Sequence, residues 1–494
     1  MGRNKQKEQA QTDGVNYRRA ETWRIALSTS NTGIGMSFYV LLGLASYVAN
    51  AGYGIATAVV GFILTATRIL DGVTDPIIAL LIDKTNTKFG KIRFWMFGGW
   101  LLESLAIYTM YVWASGKGHG IVLFVLLYVL YIIGYTMCNV TGQIIPPVLS
   151  NDPKQRPTIG VWSTVYNYFI PMVLNIVITV MLLPKFGNEY SVPMLAAACK
   201  VCILVSGVIL LISCIGVSKY DKPENFNGVD IAGRKEPVKF KDMVTLLKTN
   251  KALQTFVVSE VSDKFAQQTA SQAIITTMLY GIIMGNMQIS TILTVVAMLP
   301  SIVFAIVGAK YAGKHGNKES IVKFTRISII IAAITFVFFI IVDPKKILTF
   351  LPFAVIFVAL TLGLNGTKMC ITTCNNAMMA DIIDYELDRS GKFMPAVVTG
   401  TYSFIDKLVS SLGAVVATGS VALLGYTTTM PQPTDAMTTG IFWLTMVIFY
   451  GLPILGWICT LVAMKHSPLS REGMVDVQQR ISDKKKAALE EMFS

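Results

Sequence analysis

Two aspartates, Asp71 and Asp75, stand in a long apolar stretch that reads ATRILDGVTDPIIALL. They are four residues apart, so on a helix they share one face with Arg68, which lies three residues before Asp71. Two carboxylates with one neighbouring cation leave a local excess of negative charge. Such a group binds a metal cation or holds a proton, and the Thr74 hydroxyl adds an oxygen that suits a hard cation such as sodium. A purely structural Arg–Asp network is the alternative.

The composition around these carboxylates is that of a membrane protein. Of the 494 residues, 53% are hydrophobic and only 14% are charged, whereas an average soluble chain has ~25% charged residues. The apolar residues come in about twelve blocks, each long enough to cross a bilayer core of ~30 Å as a helix. We therefore predict an all-α membrane protein with twelve transmembrane helices. The predicted spans are 24–50, 57–82, 93–115, 121–149, 158–183, 192–216, 253–281, 287–311, 321–342, 348–380, 396–425 and 437–464.

Positive charge is distributed unevenly between the predicted loops. The net charge of +13 comes mainly from loops on one side of the spans, and the loops on the opposite side carry few lysines. This asymmetry predicts a multi-pass protein of the cell (inner) membrane with both termini in the cytoplasm, and it makes nucleic-acid binding a poor explanation of the charge. The polar N-terminal residues show no cleavable signal.

Six spans, a polar segment and six more spans indicate two six-helix bundles, a layout typical of transporters that alternate around a central site. The polar tail contains a stretch that could form an amphipathic helix at the membrane surface or remain solvated. The predicted regions are an N-terminal tail 1–23, a first bundle 24–216, a linker 217–252, a second bundle 253–464 and a C-terminal tail 465–494.

Other polar residues are predicted at membrane depth, where an ionisable group costs about 2.5–3.5 kcal/mol and needs a partner or a function. In the seventh span Glu260 and Lys264 form an i,i+4 pair with Asp263 beside them, which we interpret as a gate or a structural salt bridge. In the tenth span Lys368 and Thr372 share a polar stripe; Lys368 faces a cavity or pairs with a buried aspartate. The candidate cavity residues of the fourth span are Tyr135, Thr136, Asn139 and Gln143.

Two long motifs carry a family resemblance. The stretch TRILDGVTDPIIALLIDKTNTKFGKIRFWM resembles the second helix and following loop of the glycoside–pentoside–hexuronide:cation symporters, which belong to the major facilitator superfamily. The stretches MMADIIDYELDRSGK and TYSFIDKLVSSLG resemble the tenth and eleventh helices of that family. The resemblance implies the major facilitator fold, in two six-helix bundles.

The same resemblance assigns roles to individual residues. It implies that sodium, lithium or a proton is the coupling ion, and that Lys407 is a counter-charge that links cation and solute occupancy, with Arg68 as a second balancing charge. No organic cofactor and no structural metal is expected. The implied cation site consists of Asp71, Thr74, Asp75 and Thr136.

The chain departs from the family where sugar hydroxyls are bound. Two sugar-binding aspartates of the family align with Gly35 and Asn139, and an arginine of the fifth helix aligns with Thr164. Loss of two carboxylates, together with the extra charge of Lys368, shifts the expected solute toward a hexuronide, a glucuronide or another organic acid. We expect Lys368 or Arg68 to pair with the carboxylate of such a solute.

These observations predict a functional monomer that couples sodium or proton entry to uptake of a sugar, glycoside or uronide-like solute. An uncoupled facilitator or exporter of a non-sugar compound is the alternative. A membrane enzyme is disfavoured because no nucleophile–base set or nucleotide-binding loop is present, and a channel because the charges do not form a repeated ring.

Overall fold

The structure is built of helices. The computed structural model describes residues 19–85, 87–150, 155–222, 240–391 and 394–493, and this part of the chain contains no β-strand. Helices lie over all the predicted spans. Within the described residues, eight helices are long and apolar enough to cross a membrane, or nine if one sharply bent pair counts as a single span. The predicted all-α membrane fold is confirmed.

The chain divides into two compact units. Unit 1 comprises Met1–Ile55 and Leu70–Lys235, and unit 2 comprises Ala56–Ile69 and Glu236–Ser494. Helix α4 (Thr57–Lys84) begins in unit 2 and continues in unit 1. The other helices of unit 1 are α1 (Thr22–Thr29), α2 (Asn31–Gly43), α3 (Ala45–Tyr47), α5 (Ile92–Tyr108), α6 (Gly120–Leu149), α7 (Arg156–Asn175) and α8 (Val192–Val217). Those of unit 2 are α9 (Phe240–Thr249), α10 (Lys251–Ala270), α11 (Ala273–Thr276), α12 (Gln288–His315), α13 (Asn317–Ile341), α14 (Leu351–Ser390), α15 (Pro395–Leu423), α16 (Thr439–Met446), α17 (Leu452–His466) and α18 (Arg471–Phe493).

The seventh predicted span is a broken helix, where the sequence predicts a single block. The chain leaves the α-helix at Ser271 and Gln272, between α10 and α11, whereas α1 and α2 form one continuous span, Thr22–Gly43. A hydroxyl group competes for a helical carbonyl at this break: Ser271 Oγ donates to the carbonyl of Gln268 at 3.2 Å. Such bonds bend helices. Broken helices are frequent beside the binding sites of transporters.

The predicted linker is not a loop throughout, because it contains helix α9. Asn250 follows α9 and caps α10: its Oδ1 accepts from the N–H of Leu253 at 2.8 Å, and its Nδ2 donates to Glu386 Oε2 at 2.8 Å. Arg389 pairs with Glu386 at 2.9 Å. The end of the linker is thereby attached to α14.

The predicted C-terminal tail forms helix α18, one face of which is packed. Val477 and Ile481 are buried on that face. Arg480 forms a salt bridge of 2.8 Å with Asp388 of α14. The described residues of α18 therefore form a helix with one packed face, and most of its other residues are exposed.

Asp221, which follows α8, caps the first turn of α5. Its fully buried carboxylate accepts from the backbone N–H groups of Lys91, Ile92 and Arg93 at 2.8, 3.0 and 2.8 Å, and from Arg93 Nε at 3.2 Å. Gly90 has φ of +91°, and a Cβ there would overlap this carboxylate. The contact fixes the start of α5 relative to the end of α8.

Candidate cation and solute site

Helices α4 and α6 bring two hydroxyl groups together in unit 1. Thr74 Oγ1 and Thr136 Oγ1 lie 3.3 Å apart, and Thr136 is completely buried. The two hydroxyls are hydrogen-bonded to each other at this distance, and either of them can be the donor. The two threonines assigned to the cation site from sequence are thus adjacent, although 62 residues separate them.

The backbone of α4 also carries the other predicted members of this site. Asp75 follows Thr74 directly, and Asp71 and Arg68 lie in the two preceding helical turns. The side chains of Arg68, Asp71 and Asp75 lie outside the described residues. Their roles, and that of Lys407 on α15 as a counter-charge, remain predictions.

Helix α2 approaches α6 closely at Gly35. A Cβ at this position would lie 2.8 Å from Asn139 Oδ1 and 3.7 Å from Tyr135 Cε2. The two positions that the family resemblance assigns to sugar-binding carboxylates are therefore neighbours in space. Because Thr136 and Asn139 are three residues apart on α6, the hydroxyl predicted to bind the cation and the predicted solute position lie one helical turn from each other.

Tyr135 belongs to a series of aromatic contacts along α6. The ring centroids of Tyr131 and Tyr135 are 5.9 Å apart, and those of Tyr128 and Tyr131 are 5.6 Å apart. Tyr128 and Tyr131 are buried, which leaves Tyr135, a half-buried residue, at the accessible end. A rigid aromatic ring beside polar groups is typical of a small-molecule pocket.

Asn31 was not predicted as a site residue. It is the first residue of α2 and lies on the same helix face as Gly35, which follows it by four residues. It is buried, its Nδ2 donates to the carbonyl of Cys138 at 3.3 Å, and its Oδ1 has no hydrogen-bond partner among the described residues. The signal for it was present in the sequence: a polar amide inside an apolar span, directly after a run of hydroxyl residues.

Two other residues predicted to contact solute are exposed. Gln143 lies one turn beyond Asn139 on α6. Thr164 on α7 donates its hydroxyl to the carbonyl of Gly160 at 2.9 Å, within its own helix. The described contacts thus place Gly35 next to Asn139, but none of them connects Thr164 with these two residues.

Unit 2 holds a second group of charged side chains on α10, α14 and α15. Lys264 Nζ lies 3.1 Å from Asp406 Oδ2, 2.6 Å from the Tyr402 hydroxyl and 3.8 Å from Glu260 Oε1. Asn375 Nδ2 donates to Glu260 Oε2. The Glu260–Lys264 pair predicted from sequence is formed, but Asp406 is the closer carboxylate. The gate role predicted for Glu260, Asp263 and Lys264 remains a prediction.

Lys368 on α14 lies in the same part of unit 2. Its ammonium group is 5.7 Å from the ring centroid of Trp457, which is completely buried, and it is within electrostatic range of Asp263 on α10. Thr372 is exposed and donates its hydroxyl to the carbonyl of Lys368 at 3.0 Å.

Sequence reasoning missed Asp406, Tyr402 and Asn375 as members of this cluster. Asp406 and Lys407 are neighbours on α15 and point ~100° apart, so they face different groups. The partner of Asp406 is 142 residues away, and no sequence pattern connects the two.

Known proteins resemble this chain over most of its length. Residues 26–471 match the family described as MFS/sugar transport protein. The chain belongs to this family. It is 24% identical over 427 residues to YagG of Escherichia coli (strain K12), which is named a putative glycoside/cation symporter; the match covers 84% of this chain and 86% of that protein. It is also 22% identical over 467 residues to the isoprimeverose transporter of Lactiplantibacillus pentosus. That match covers 92% of this chain and 91% of that protein.

Solved structures with little sequence identity share the fold. A mutant form of the nucleoside transporter NupG matches with a TM-score of 0.61 at 14% identity, over 89% of this chain and 98% of that chain. A bacterial homologue of the human lysosomal transporter Spinster matches with a TM-score of 0.60 at 13% identity. This match covers 92% of this chain and 97% of that chain. The chain is thus a multi-pass membrane transporter of the major facilitator fold and not an enzyme, as the sequence predicts.

Proposed function

We propose that this MFS/sugar transport protein is a secondary active symporter that couples a cation to transport of a sugar, glycoside or uronide-like solute by alternating access. The observation that carries the proposal is the pair of neighbouring contacts on α6: Thr136 meets Thr74, and Asn139 meets Gly35. The relatives named as a glycoside/cation symporter and an isoprimeverose transporter support the same function.

The cation is held by Asp71, Thr74, Asp75 and Thr136. Its binding neutralises the excess negative charge of the two aspartates, which would otherwise be costly to enclose in a closed carrier. Arg68 and Lys407 balance the remaining charge. Sodium, lithium and a proton are the candidate ions.

The solute lies beside Gly35, Tyr135 and Asn139. The two positions that carry carboxylates in related sugar carriers are neutral here, so the pocket has lost acceptors for sugar hydroxyls. A uronide or another organic acid fits this change, with Lys368 or Arg68 as the partner of its carboxylate.

The carrier functions as a monomer in the inner cell membrane with both termini in the cytoplasm, in agreement with the positive-inside pattern. The first bundle spans residues 24–216 and the second 253–464. These two bundles are the parts that alternate around the solute during transport.

Uptake into vesicles that contain the purified protein tests the function. Neutral glycosides and uronides are offered with an inward sodium gradient, with a proton gradient and with neither. Coupled symport predicts uptake above equilibrium under one of the gradients, and Asp75→Asn should abolish that accumulation while leaving exchange of solute. Uptake indifferent to both gradients and to Asp75→Asn would identify an uncoupled facilitator instead.

A further inference from the structure

The exposed face of helix α13 carries basic groups at one end and apolar groups along the rest of its length. Lys323 and Arg326 are exposed near the beginning of the helix, and every exposed residue that follows them on α13 is apolar. Large residues among these recur every three or four positions: Ile330, Ile334, Val337 and Ile341. We propose that this face binds an anionic phospholipid of the membrane, with its phosphate at Lys323 and Arg326 and an acyl chain along the apolar residues.

These residues lie on one side of α13, opposite to the side that packs in unit 2. At ~100° per residue, the two basic residues and the four apolar ones fall within ~80° of one another around the helix axis. The opposite side carries buried residues: Ser328, Ala332 and Phe339 are at most 1% exposed. The distance along the axis from Arg326 to Val337 is ~16 Å, close to the ~15 Å of one leaflet of a bilayer core. A phospholipid therefore fits along this face with its phosphate near Arg326.

The basic end of this face is a shallow groove of ≈ 430 Å³. Three basic residues and one acid line it, with two apolar side chains beside them. The lining residues are Lys318, Glu319, Val322, Lys323, Arg326 and Ile327. A phosphate headgroup and the first carbons of its chains need this mixture of cationic and apolar groups, and basic pockets beside membrane helices bind anionic lipids.

Two of the basic side chains are available to a phosphate. Lys323 Nζ lies 4.1 Å from the ring centroid of Tyr311 on α12, a contact that positions the ammonium group without cancelling its charge. Arg326 forms no salt bridge within the described residues, and a guanidinium group binds phosphate through two parallel hydrogen bonds. Lys318 is engaged elsewhere, since its Nζ donates to the carbonyl of Ser467 at 2.6 Å. The phosphate is therefore assigned to Lys323 and Arg326.

Glu319 is the only acid in α12 and α13, and its carboxylate is turned toward the start of α18. Its Oε1 accepts from the backbone N–H of Arg471 at 3.4 Å. A Cβ at Gly316 would overlap its Oε2, so the second oxygen lies against the beginning of α13. The one negative charge of the groove is thus placed at its edge.

The charges of the neighbouring helices do not remove the positive excess. α12 adds Lys310 and Lys314, and α18 begins with one charge of each sign, Arg471 and Glu472. The acids at the end of α14 have donors of their own on α13, α14 or α18: Asp381 accepts from Asn317, Asp384 from Gln478, Glu386 from Arg389 and Asp388 from Arg480. None of them forms a salt bridge with Lys323 or Arg326 within the described residues.

Helix α8 shows that an apolar face alone does not define this site. It has a similar exposed stripe, formed by Leu204, Val208, Leu211 and Ile215. The basic residue that follows this stripe, Lys219, is neutralised by Glu21 at 2.6 Å. The exposed face of α13 differs because its basic groups lie in a groove and have no acid partner among the described residues.

Native mass spectrometry of the purified full-length protein, titrated with phosphatidylglycerol or phosphatidylcholine, tests the site. The wild type should bind phosphatidylglycerol with a Kd about tenfold or more below that for phosphatidylcholine. Lys323→Gln and Arg326→Gln should each weaken phosphatidylglycerol binding about fivefold and together about 25-fold, with phosphatidylcholine unaffected. Lys345→Gln with Lys346→Gln is the matched control, because it removes two exposed charges beyond the other end of α13 and should leave both affinities unchanged.

Two further measurements separate lost charge from lost folding and a lipid from soluble phosphate. Lys323→Arg with Arg326→Lys keeps both charges and should bind phosphatidylglycerol as the wild type does. Glycerophosphoglycerol, the same headgroup without acyl chains, should not displace the lipid, because it gains nothing from the apolar face. Equal affinity for the two lipids, an equal loss in the Lys345/Lys346 variant, or displacement by glycerophosphoglycerol overturns the proposal.

Discussion

The hydroxyl groups of Thr74 and Thr136 lie 3.3 Å apart, on two helices of unit 1. Thr136 is fully buried, so its hydroxyl is held in place by packing. In the proposed cation site, oxygen atoms held in advance by this packing reduce the entropy that cation binding would otherwise cost. The same helix carries Asn139 one turn further on, next to the proposed solute position.

We expect Thr136→Val to weaken cation binding roughly 10- to 150-fold, because it removes one hydrogen-bonding oxygen of a charged ligand without changing the side-chain shape. Thr136→Ser keeps the oxygen and should restore most of the affinity. The measurement is the sodium and lithium concentration that gives half-maximal solute uptake. Equal values for the valine variant and the wild type would contradict the assignment.

We expect Asn139→Asp to lower uptake of an acidic solute by about tenfold or more, because it restores a carboxylate that repels the solute. Uptake of neutral glycosides should stay the same or rise. Asn188→Asp, the same exchange at an exposed position, is the matched control. If the acidic solute is carried equally well by Asn139→Asp, it does not bind beside Asn139.

We expect Asp221→Ala to lower the stability of unit 1 by about 3 kcal/mol or more. The substitution leaves the N–H groups of Lys91, Ile92 and Arg93 without their acceptor and the buried end of Arg93 without its partner. The measurement is the thermal unfolding temperature in detergent. Glu21→Ala removes an exposed ion pair with Lys219 and should change that temperature far less.

The Glu21–Lys219 pair should show a defined pH dependence. The hydrogen bond from Lys219, at 2.6 Å, lowers the pKa of Glu21 below its ordinary value of 4.5. A group with a lowered folded-state pKa stabilises the fold above its unfolded pKa, and this contribution is lost as pH falls through the folded pKa. The unfolding temperatures of the wild type and Lys219→Ala should therefore differ slightly at neutral pH and converge in acid. A difference that grows in acid would show that the pair is not formed.

Glu103 on α5 should be uncharged. It is completely buried, and neither carboxylate oxygen has a hydrogen-bond partner among the described residues. An unpaired charge there would be very costly. Glu103→Gln should therefore leave the unfolding temperature nearly unchanged, whereas Glu103→Ala opens a cavity and should cost about 2–4 kcal/mol. A strong loss of stability in Glu103→Gln would show that the carboxyl group itself is needed.

The sequence alone indicated a membrane transporter built of helices and pointed to a cation site. Long apolar blocks must become helices in a bilayer, since the backbone has no other hydrogen-bond partners there, so the spans could be predicted to within a few residues. The motif around Asp71 and Asp75 pointed to a cation site because charged residues inside such blocks are too costly to lack a function.

Only the tertiary structure decided which helices bring those residues together. Thr74 meets Thr136 and Lys264 meets Asp406 across 62 and 142 residues, and a periodic pattern fixes the face of one helix but not the neighbour that it meets. The break at Ser271 also escaped sequence analysis. A hydroxyl that bonds to a helical carbonyl is compatible with a straight or a bent helix, and the packing around it decides between them.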